Sequence, residues 1–513
     1  MRKIVAIYQN FTGGVVNAEN TSLLPDNCLT RAENVVLNAL GGLTSRKGSS
    51  NFNSVTYGAV NVTRLIEWPR KDGSKVLLAM AGYTLAKIAE DGAKTDLKAL
   101  DASDIGHYFL QDKLYFAGIE GGVDKYWYYD GTTVAEVTPN AAPDNDLAPI
   151  KRCRLFMWHS KSFRIFAAGD RNDLSCLYYS EPNDPTYFKN TSKLYPTTGD
   201  GPVTALALFG EGLLSFYQNS IWTYKGSNPA TDATWSKLPT AIGTVSPDTI
   251  AMAPSSLIFL SSGGIYSLSP GILDYNIVLV AGEGLISNIA ENKRQQTIKD
   301  ILYREKACGV FYDDRYYLVY SYDQADWTKR KIIVYDWNLK AFTDFTNWNA
   351  LSFCSRANSD LLFGTTGGYI RRAFSGYNDA GVDIPVAITT KRYDLGSANY
   401  GVSRGSVTPW HTKKLKRLLV GIKTAISAPQ ITIKVTGDLS EGSSLVTAIA
   451  TGYLVWGDVW GEVWGWPESH LTEFKTNLKA RSFFAELSFS TSTDTVIILG
   501  LGFEFKVKRI KVD

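Results

Sequence analysis

The sequence predicts an all-β chain, a β-propeller joined to a smaller β-sandwich-like domain, and three observations predict it. Short runs of β-branched and aromatic residues, closed by Asp, Asn or Gly, recur in groups of three or four at intervals of roughly 40–50 residues. Aromatic residues make up 12% of the 513 residues and there are 44 glycines, a composition of strands and turns. Beyond residue 376 the short runs give way to longer alternating ones, as in strands with one buried face.

Residues 1–54 read as an extended N-terminal arm lying against a surface. It has turns at Phe11-Thr12-Gly13-Gly14, Leu24-Pro25-Asp26-Asn27 and Gly41-Gly42, with Arg46 and Lys47 expected to be solvated or paired. Residues 55–375 hold the propeller, with units over 64–88, 107–137, 154–188, 203–238, 249–269, 307–345 and 351–372. The unit at 307–345 is the clearest. Its runs 307–311, 315–320, 331–335 and 341–345 are separated by Asp313-Asp314, a polar loop and Asp336-Trp337-Asn338, the pattern of a four-stranded antiparallel meander. Such a meander alone cannot bury both faces, so sister sheets must stack beside it. Six blades fit best if the incomplete first and last units close together as one; seven is the other count. Ile286, Ile289, Ile298, Ile301 and Leu302 predict an amphipathic helix over 285–303. Residues 376–513 read as the β-sandwich-like domain, with strands over 384–393, 415–423, 430–436, 483–489, 495–501 and 503–507.

The formal net charge of +3 argues against a large nucleic-acid face driven by counterion release. The five cysteines, Cys28, Cys153, Cys176, Cys308 and Cys354, have no CxxC spacing, so neither a disulfide framework nor a zinc site is expected. The apolar start of the chain stops at Tyr8-Gln9-Asn10, too early for a secretory signal. The uncharged stretch 249–273 is interrupted by Pro254 and Pro270 and reads as buried strands, not a membrane span.

No catalytic site is expected. Gly401-Val402-Ser403-Arg404-Gly405 matches a nucleophile pattern, but Ser406-Val407-Thr408-Pro409 cannot form the helix that a nucleophile elbow requires. The histidines His107, His159, His411 and His470 form no readable constellation. Asp144-Asn145-Asp146 and Asp170-Arg171-Asn172-Asp173 miss the spacing of a calcium loop and read as turn caps. Asp232-Ala233-Thr234-Trp235 lacks the glycine and the recurrence of a sialidase Asp-box. No cofactor or metal is predicted.

Two features read as candidate interface. Lys414, Lys416 and Arg417 stand in one basic cluster and Lys506 and Lys508 in another; Lys414, Lys416, Lys506 and Lys508 alternate on strand-like runs and would share a face, either simply solvated or able to bind a phosphate or a partner. Trp456, Trp460 and Trp464 recur every fourth residue with Trp466 beyond. In a strand they share one side with Asp458 and Glu462, a surface suited to a partner as much as to a core.

The arm phrases Phe11-Thr12-Gly13-Gly14-Val15, Leu24-Pro25-Asp26-Asn27, Arg31-Ala32-Glu33-Asn34 and Arg46-Lys47-Gly48 resemble the N-terminus of the tail nozzle proteins of short-tailed bacteriophages. These are also called tail tubular or packaged-DNA stabilization proteins. Asp314-Arg315-Tyr316-Tyr317, Val334-Tyr335-Asp336, Trp222-Thr223-Tyr224 and Lys414-Leu415-Lys416-Arg417-Leu418 fit the same family. The resemblance implies a non-enzymatic virion protein, made in the host cytoplasm. It would form a homo-oligomeric ring in the tail, usually of six copies, that contacts the portal or adaptor and fibre or plug proteins. The ring continues the DNA channel, without sequence-specific binding, and helps retain and eject the genome. A receptor- or glycan-binding tail-tip protein is the alternative.

Overall fold

The computed structural model describes residues 4–17, 21–197, 199–232, 235–269, 286–288, 293–357, 360–393, 412–424, 430–438, 443–449, 469–475 and 478–507. The chain is all-β, with many small sheets in a propeller-like arrangement. Among the described residues, seven four-stranded antiparallel units occur. The first runs Val62–Pro69, Lys75–Ala81, Thr84–Ile88 and Lys94–Ala99, each strand paired with the one before it. The same order recurs from Gly106–Leu110 to Val134–Glu136, from Leu155–His159 to Lys193–Leu194, and from Ala205–Phe209 to Trp235–Lys237. Two more run from Ala251–Ala253 to Ile286–Asn288 and from Cys308–Tyr312 to Ala341–Phe345. The seventh takes Ser352–Ser355, Leu361–Gly364 and Ile370–Ala373 from the end of this run. Its fourth strand, Ser49–Asn51, comes from ahead of the first unit.

The second strands explain the stacking. Arg164–Ala168, Gly212–Phe216 and Ser256–Leu260 are buried along their whole length, because both faces are covered. Alternation then divides the side chains between two neighbouring sheets. On Lys75–Ala81, Leu78 and Met80 pack with Leu114, Phe116 and Trp127 of the second unit, whereas Leu77 and Ala79 pack with Leu362 and Ile370 of the seventh. Likewise Tyr316 and Leu318 meet Ile258 and Leu260 of the fifth unit, while Tyr317 and Val319 meet Leu361 and Phe363 of the seventh. The last sheet therefore packs on the first. Each buried Leu, Ile or Phe contributes about 1.5–3 kcal/mol, so these inter-sheet clusters hold the arrangement together.

The helix expected over 285–303 is two elements. Ile286–Asn288 is the outer strand of the fifth unit, and among the described residues of this stretch only Gln295–Lys299 is α-helical. Ile298 and Ile301 are buried against that unit and the sixth.

The second body of the fold is made from both ends of the chain. Its two longest strands, Lys413–Thr424 and Val496–Val507, pair along their length. Ile4–Tyr8, Leu43–Ser45 and Val35–Leu37 extend that sheet on one side, Ser469–Lys475 and Lys479–Ala480 on the other. The other sheet orders Cys28–Glu33, Ile384–Thr390, Phe483–Thr491, Gln430–Gly437 and Ser443–Ile449. Phe483–Thr491 alternates strictly between buried and open positions, and Phe483, Ala485 and Leu487 meet Leu418, Val420 and Phe503 in a shared core. Val496–Val507 is one strand where the sequence predicts two. Gly500 lets Ile4–Tyr8 lie close against it, since a Cβ there would be 2.8 Å from the Tyr8 carbonyl oxygen.

The first 51 residues therefore do not form a separate arm along a surface. They supply strands to both sandwich sheets and the closing strand of the seventh propeller unit. Of the two expectations for Arg46, solvated or paired, the second is met, and the pair lies in the interior. Arg46 is 1% exposed, its guanidinium pairs with the Asp379 carboxylate at 2.6 and 3.0 Å, and its Nε donates to Asn34 Oδ1 at 2.8 Å. Asp379 also accepts from Ser49 Oγ and from Trp348 Nε1. Asn34 adopts φ 59°, a conformation asparagine tolerates, where the chain passes from Cys28–Glu33 to Val35–Leu37. At Gly48 a Cβ would meet the Asn378 carbonyl oxygen at 1.9 Å, so only glycine allows the two segments to touch there. One parallel pair, Glu33 with Asp344, joins the sixth unit to the second sandwich sheet.

Candidate functional site

Among the sequence-predicted interface residues, Lys414, Lys416 and Arg417 lie on Lys413–Thr424; Trp456, Trp460, Trp464, Trp466 and Lys508 lie outside the described residues. Inward positions on this strand are taken by Lys413, Leu415, Leu418 and Val420, all buried. The ladder to Val496–Val507 slips between Leu415 and Arg417, which makes Lys416 the extra residue of a bulge and turns both Lys416 and Arg417 outward. Lys414 stands opposite Lys506 on one side and opposite Lys479 on the other, so three lysines line up across three adjacent strands. Arg417 stands opposite Glu504, 3.8 Å away, and opposite Lys475. Lys413 points the other way, its ammonium donating to the Arg481 carbonyl oxygen at 2.9 Å. Lys414 and Lys506 are thus cross-strand partners, and Lys479 joins them from a strand too short to read in the sequence.

A second site was not legible in the sequence. The first strands of several propeller units surround a cavity of about 420 Å³ walled by Tyr108, Phe156, Met157, Trp158 and Leu206. Arg64 crosses it to Asp248, 3.4 Å from both carboxylate oxygens, and approaches His107 Nδ1 at 3.5 Å. Arginine only donates, so the contact requires Nδ1 to accept and places the ring proton on Nε2. Burial, and then the positive charge of Arg64, push the His107 pKa down to about 3, which keeps the imidazole neutral. Arg64, His107 and Asp248 also line a smaller cavity of about 130 Å³ that reaches Cys308 and Ser352. The three side chains thus stand between two chambers.

The other polar residues singled out in the sequence serve the scaffold. His159 Nδ1 meets Ser162 Oγ at 2.9 Å and its Nε2 meets the Glu211 carbonyl oxygen at 3.0 Å. Asp170 accepts from Arg152, Tyr178 and the Asn172 amide, and Asp232 accepts from Tyr224 and the Ser227 and Asn228 amides. Both are caps, as expected for Asp170. All five cysteines are buried with free thiols. Among the described residues no group of three or more His, Cys, Asp or Glu is placed to hold a metal, and no helix is long and apolar enough to cross a membrane. Ser403 and His411 lie outside the described residues.

The sequence matches no protein-family model and no curated protein. Among solved structures it is similar to virginiamycin B lyase from Staphylococcus aureus, at 14% identity over 63% of this chain and 97% of that one, TM-score 0.41. It is also similar to PorZ, a bacterial surface component of the type-IX secretion system of Porphyromonas gingivalis, at 13% identity over 68% and 42%, TM-score 0.37. A third is the exo-beta-1,3-galactanase from Phanerochaete chrysosporium, at 11% identity over 78% and 96%, TM-score 0.26. Likenesses at this level carry no argument about what the chain does.

Proposed function

We propose that this chain is a non-enzymatic structural subunit of a short-tailed phage tail, of the tail-nozzle kind, built on a seven-bladed propeller. The observation that carries the proposal is where the family-like phrases fall. Arg31-Ala32-Glu33-Asn34 and Arg46-Lys47-Gly48 form the joint at which sandwich and propeller are tied, through Arg46, Asp379, Asn34 and the Glu33–Asp344 pair. The resemblance thus rests on residues that determine the architecture. The seven-blade count is supported by the seven four-stranded units and by the packing of the seventh on the first.

In this reading the subunit assembles into a homo-oligomeric ring, six copies as the resemblance implies, seated below a portal or adaptor in the virion tail. DNA passes through the ring, not through the propeller axis, which Arg64 and Asp248 cross. The Trp456–Trp466 region, numbered 456–466, is the proposed contact with the neighbouring copy or tail protein. The test is a phage deleted for this protein. Particles should package DNA but fail to retain it or to infect. Full, stable, infectious particles would overturn the proposal. Full particles that lose only adsorption would replace it with the receptor- or glycan-binding reading.

A further inference from the structure

We infer that the larger chamber among the first strands of the propeller units is a binding site for a small zwitterion, an α-amino acid with an apolar side chain. Arg64 stands on Val62–Pro69 of the first unit, and Asp248 lies just ahead of Ala251–Ala253 of the fifth, so two units that are not neighbours bring the charges together. They are paired poorly. A single nitrogen, Arg64 Nη2, is shared between both Asp248 oxygens at 3.4 Å. Elsewhere in the chain Arg70 with Asp112, and Arg152 with Asp170, present two nitrogens to two oxygens at 2.6–3.0 Å. A charge-assisted contact of this kind closes to about 2.7–2.9 Å when fully made. Arg64 Nη1 reaches only His107, at 3.5 Å. Asp248 keeps 53% and Arg64 23% of its side chain accessible, so each has room for a partner that the other does not replace.

The two charges call for a ligand that carries both signs. A carboxylate would take the planar fork of Arg64 with two parallel hydrogen bonds, and an ammonium would donate to Asp248. A ligand with a negative charge alone would lie against Asp248, and one with a positive charge alone against Arg64, so each would be repelled by one member of the pair. In an α-amino acid the two charged groups hang from one carbon and can meet both members at once. The other ionisable residues of the wall leave this balance intact: His107 is neutral, and Arg154 is paired with Asp124 at 3.3 Å. Beyond the charges, Phe156, Met157 and Leu206 supply an apolar wall for the side chain, and the methionine can adjust to side chains of different shape. The volume of about 420 Å³ falls within the ~300–1,000 Å³ of small-molecule sites. The inference goes beyond the nozzle reading and does not rest on it, since it concerns the inside of one subunit.

The experiment is isothermal titration calorimetry on the purified full chain, with L-phenylalanine and L-leucine as probes. Three further probes accompany them: phenylpropionate, which lacks the ammonium, phenethylamine, which lacks the carboxylate, and glucose, a neutral polyol. At least one amino acid is expected to bind with a Kd of about 1 mM or tighter, and the two single-charge analogues about tenfold more weakly or worse. Arg64→Gln and Asp248→Asn should each weaken amino-acid binding about tenfold or more. Both variants should keep the thermal transition of the wild type, because a long and open ion pair contributes little to stability. Lys161→Gln, at a surface pair with Glu211 on the propeller, serves as control and should bind like the wild type. The inference is overturned if neither amino acid binds at about 10 mM, or if both variants bind as the wild type does. Equal binding of phenylpropionate would replace the zwitterion with a simple anion, and binding of glucose alone would replace it with a polyol. Should a variant fail to fold, the comparison of the five probes on the wild type still decides between these outcomes.

Discussion

At the scale of single residues, the buried ion pair of Arg46 and Asp379 carries the most consequence. Removing one partner leaves the other charge buried and alone, which costs about 3–5 kcal/mol. Arg46→Met should therefore destabilise the chain by that amount in denaturant unfolding, and adding Asp379→Leu should recover much of the loss. Equal stability of Arg46→Met and the wild type would remove the pair from its place in the joint. His107 gives the pH dependence. Its folded pKa is depressed to about 3, against about 6.5 for an unperturbed histidine. Below pH ~6.5 the unfolded chain binds a proton that the folded chain refuses. Stability from this site is full above that pH and falls as pH drops towards 3. In His107→Gln the one-proton slope between those limits should vanish from stability measured across pH.

Strands and sheets set the next level of argument. The closing strand Ser49–Asn51 pairs with Ile370–Ala373, and at the same edge Gly48 donates its amide to the Gly376 carbonyl oxygen and accepts from the Ser375 amide. A fragment of residues 48–376 should fold with a higher unfolding midpoint than one of 55–375, which leaves the seventh unit a strand short. Equal midpoints would mean that the strand contributes nothing to closure. This strand also marks the limit of what the sequence discloses. The inner strands were legible because both faces are apolar, as in Leu77–Met80 (residues 77–80) and Tyr316–Val319 (316–319). Lys94–Ala99 was not, because an outermost strand with an open face reads as a polar loop. Ser49–Asn51 was missed for a different reason: three polar residues carry no period, and the partner lies at the other end of the propeller. Of the basic face, Lys414 and Lys506 followed from alternation alone. The register that adds Lys479, and the meeting of Arg64 with Asp248, depend on pairings no local pattern encodes.

At the scale of the whole molecule, Trp460→Ala with Trp464→Ala tests the proposed assembly. Size-exclusion chromatography with light scattering should find a folded monomer in place of a ring, with the propeller's thermal transition unchanged. Loss of folding would instead assign these tryptophans to a core. The use of both chain ends in one sandwich has a further consequence, for the order of events on the ribosome. Ser50 pairs with Arg372, 322 residues later (372 − 50), and Ile4 pairs with Phe505 at the far end of the chain. At a synthesis rate of about 5–20 residues per second, the nascent Ser49–Asn51 strand waits roughly 16–64 s for its partner to be made. Throughout that interval its edge is open, as are the edges by which Ile4–Tyr8, Cys28–Glu33 and Leu43–Ser45 meet their later partners. Six propeller units can form as they emerge and the seventh can close once Ile370–Ala373 has been made, but the sandwich cannot be completed before Val496–Val507. The finished subunit, and any ring made from it, is withheld until the last strand of the chain has been synthesised.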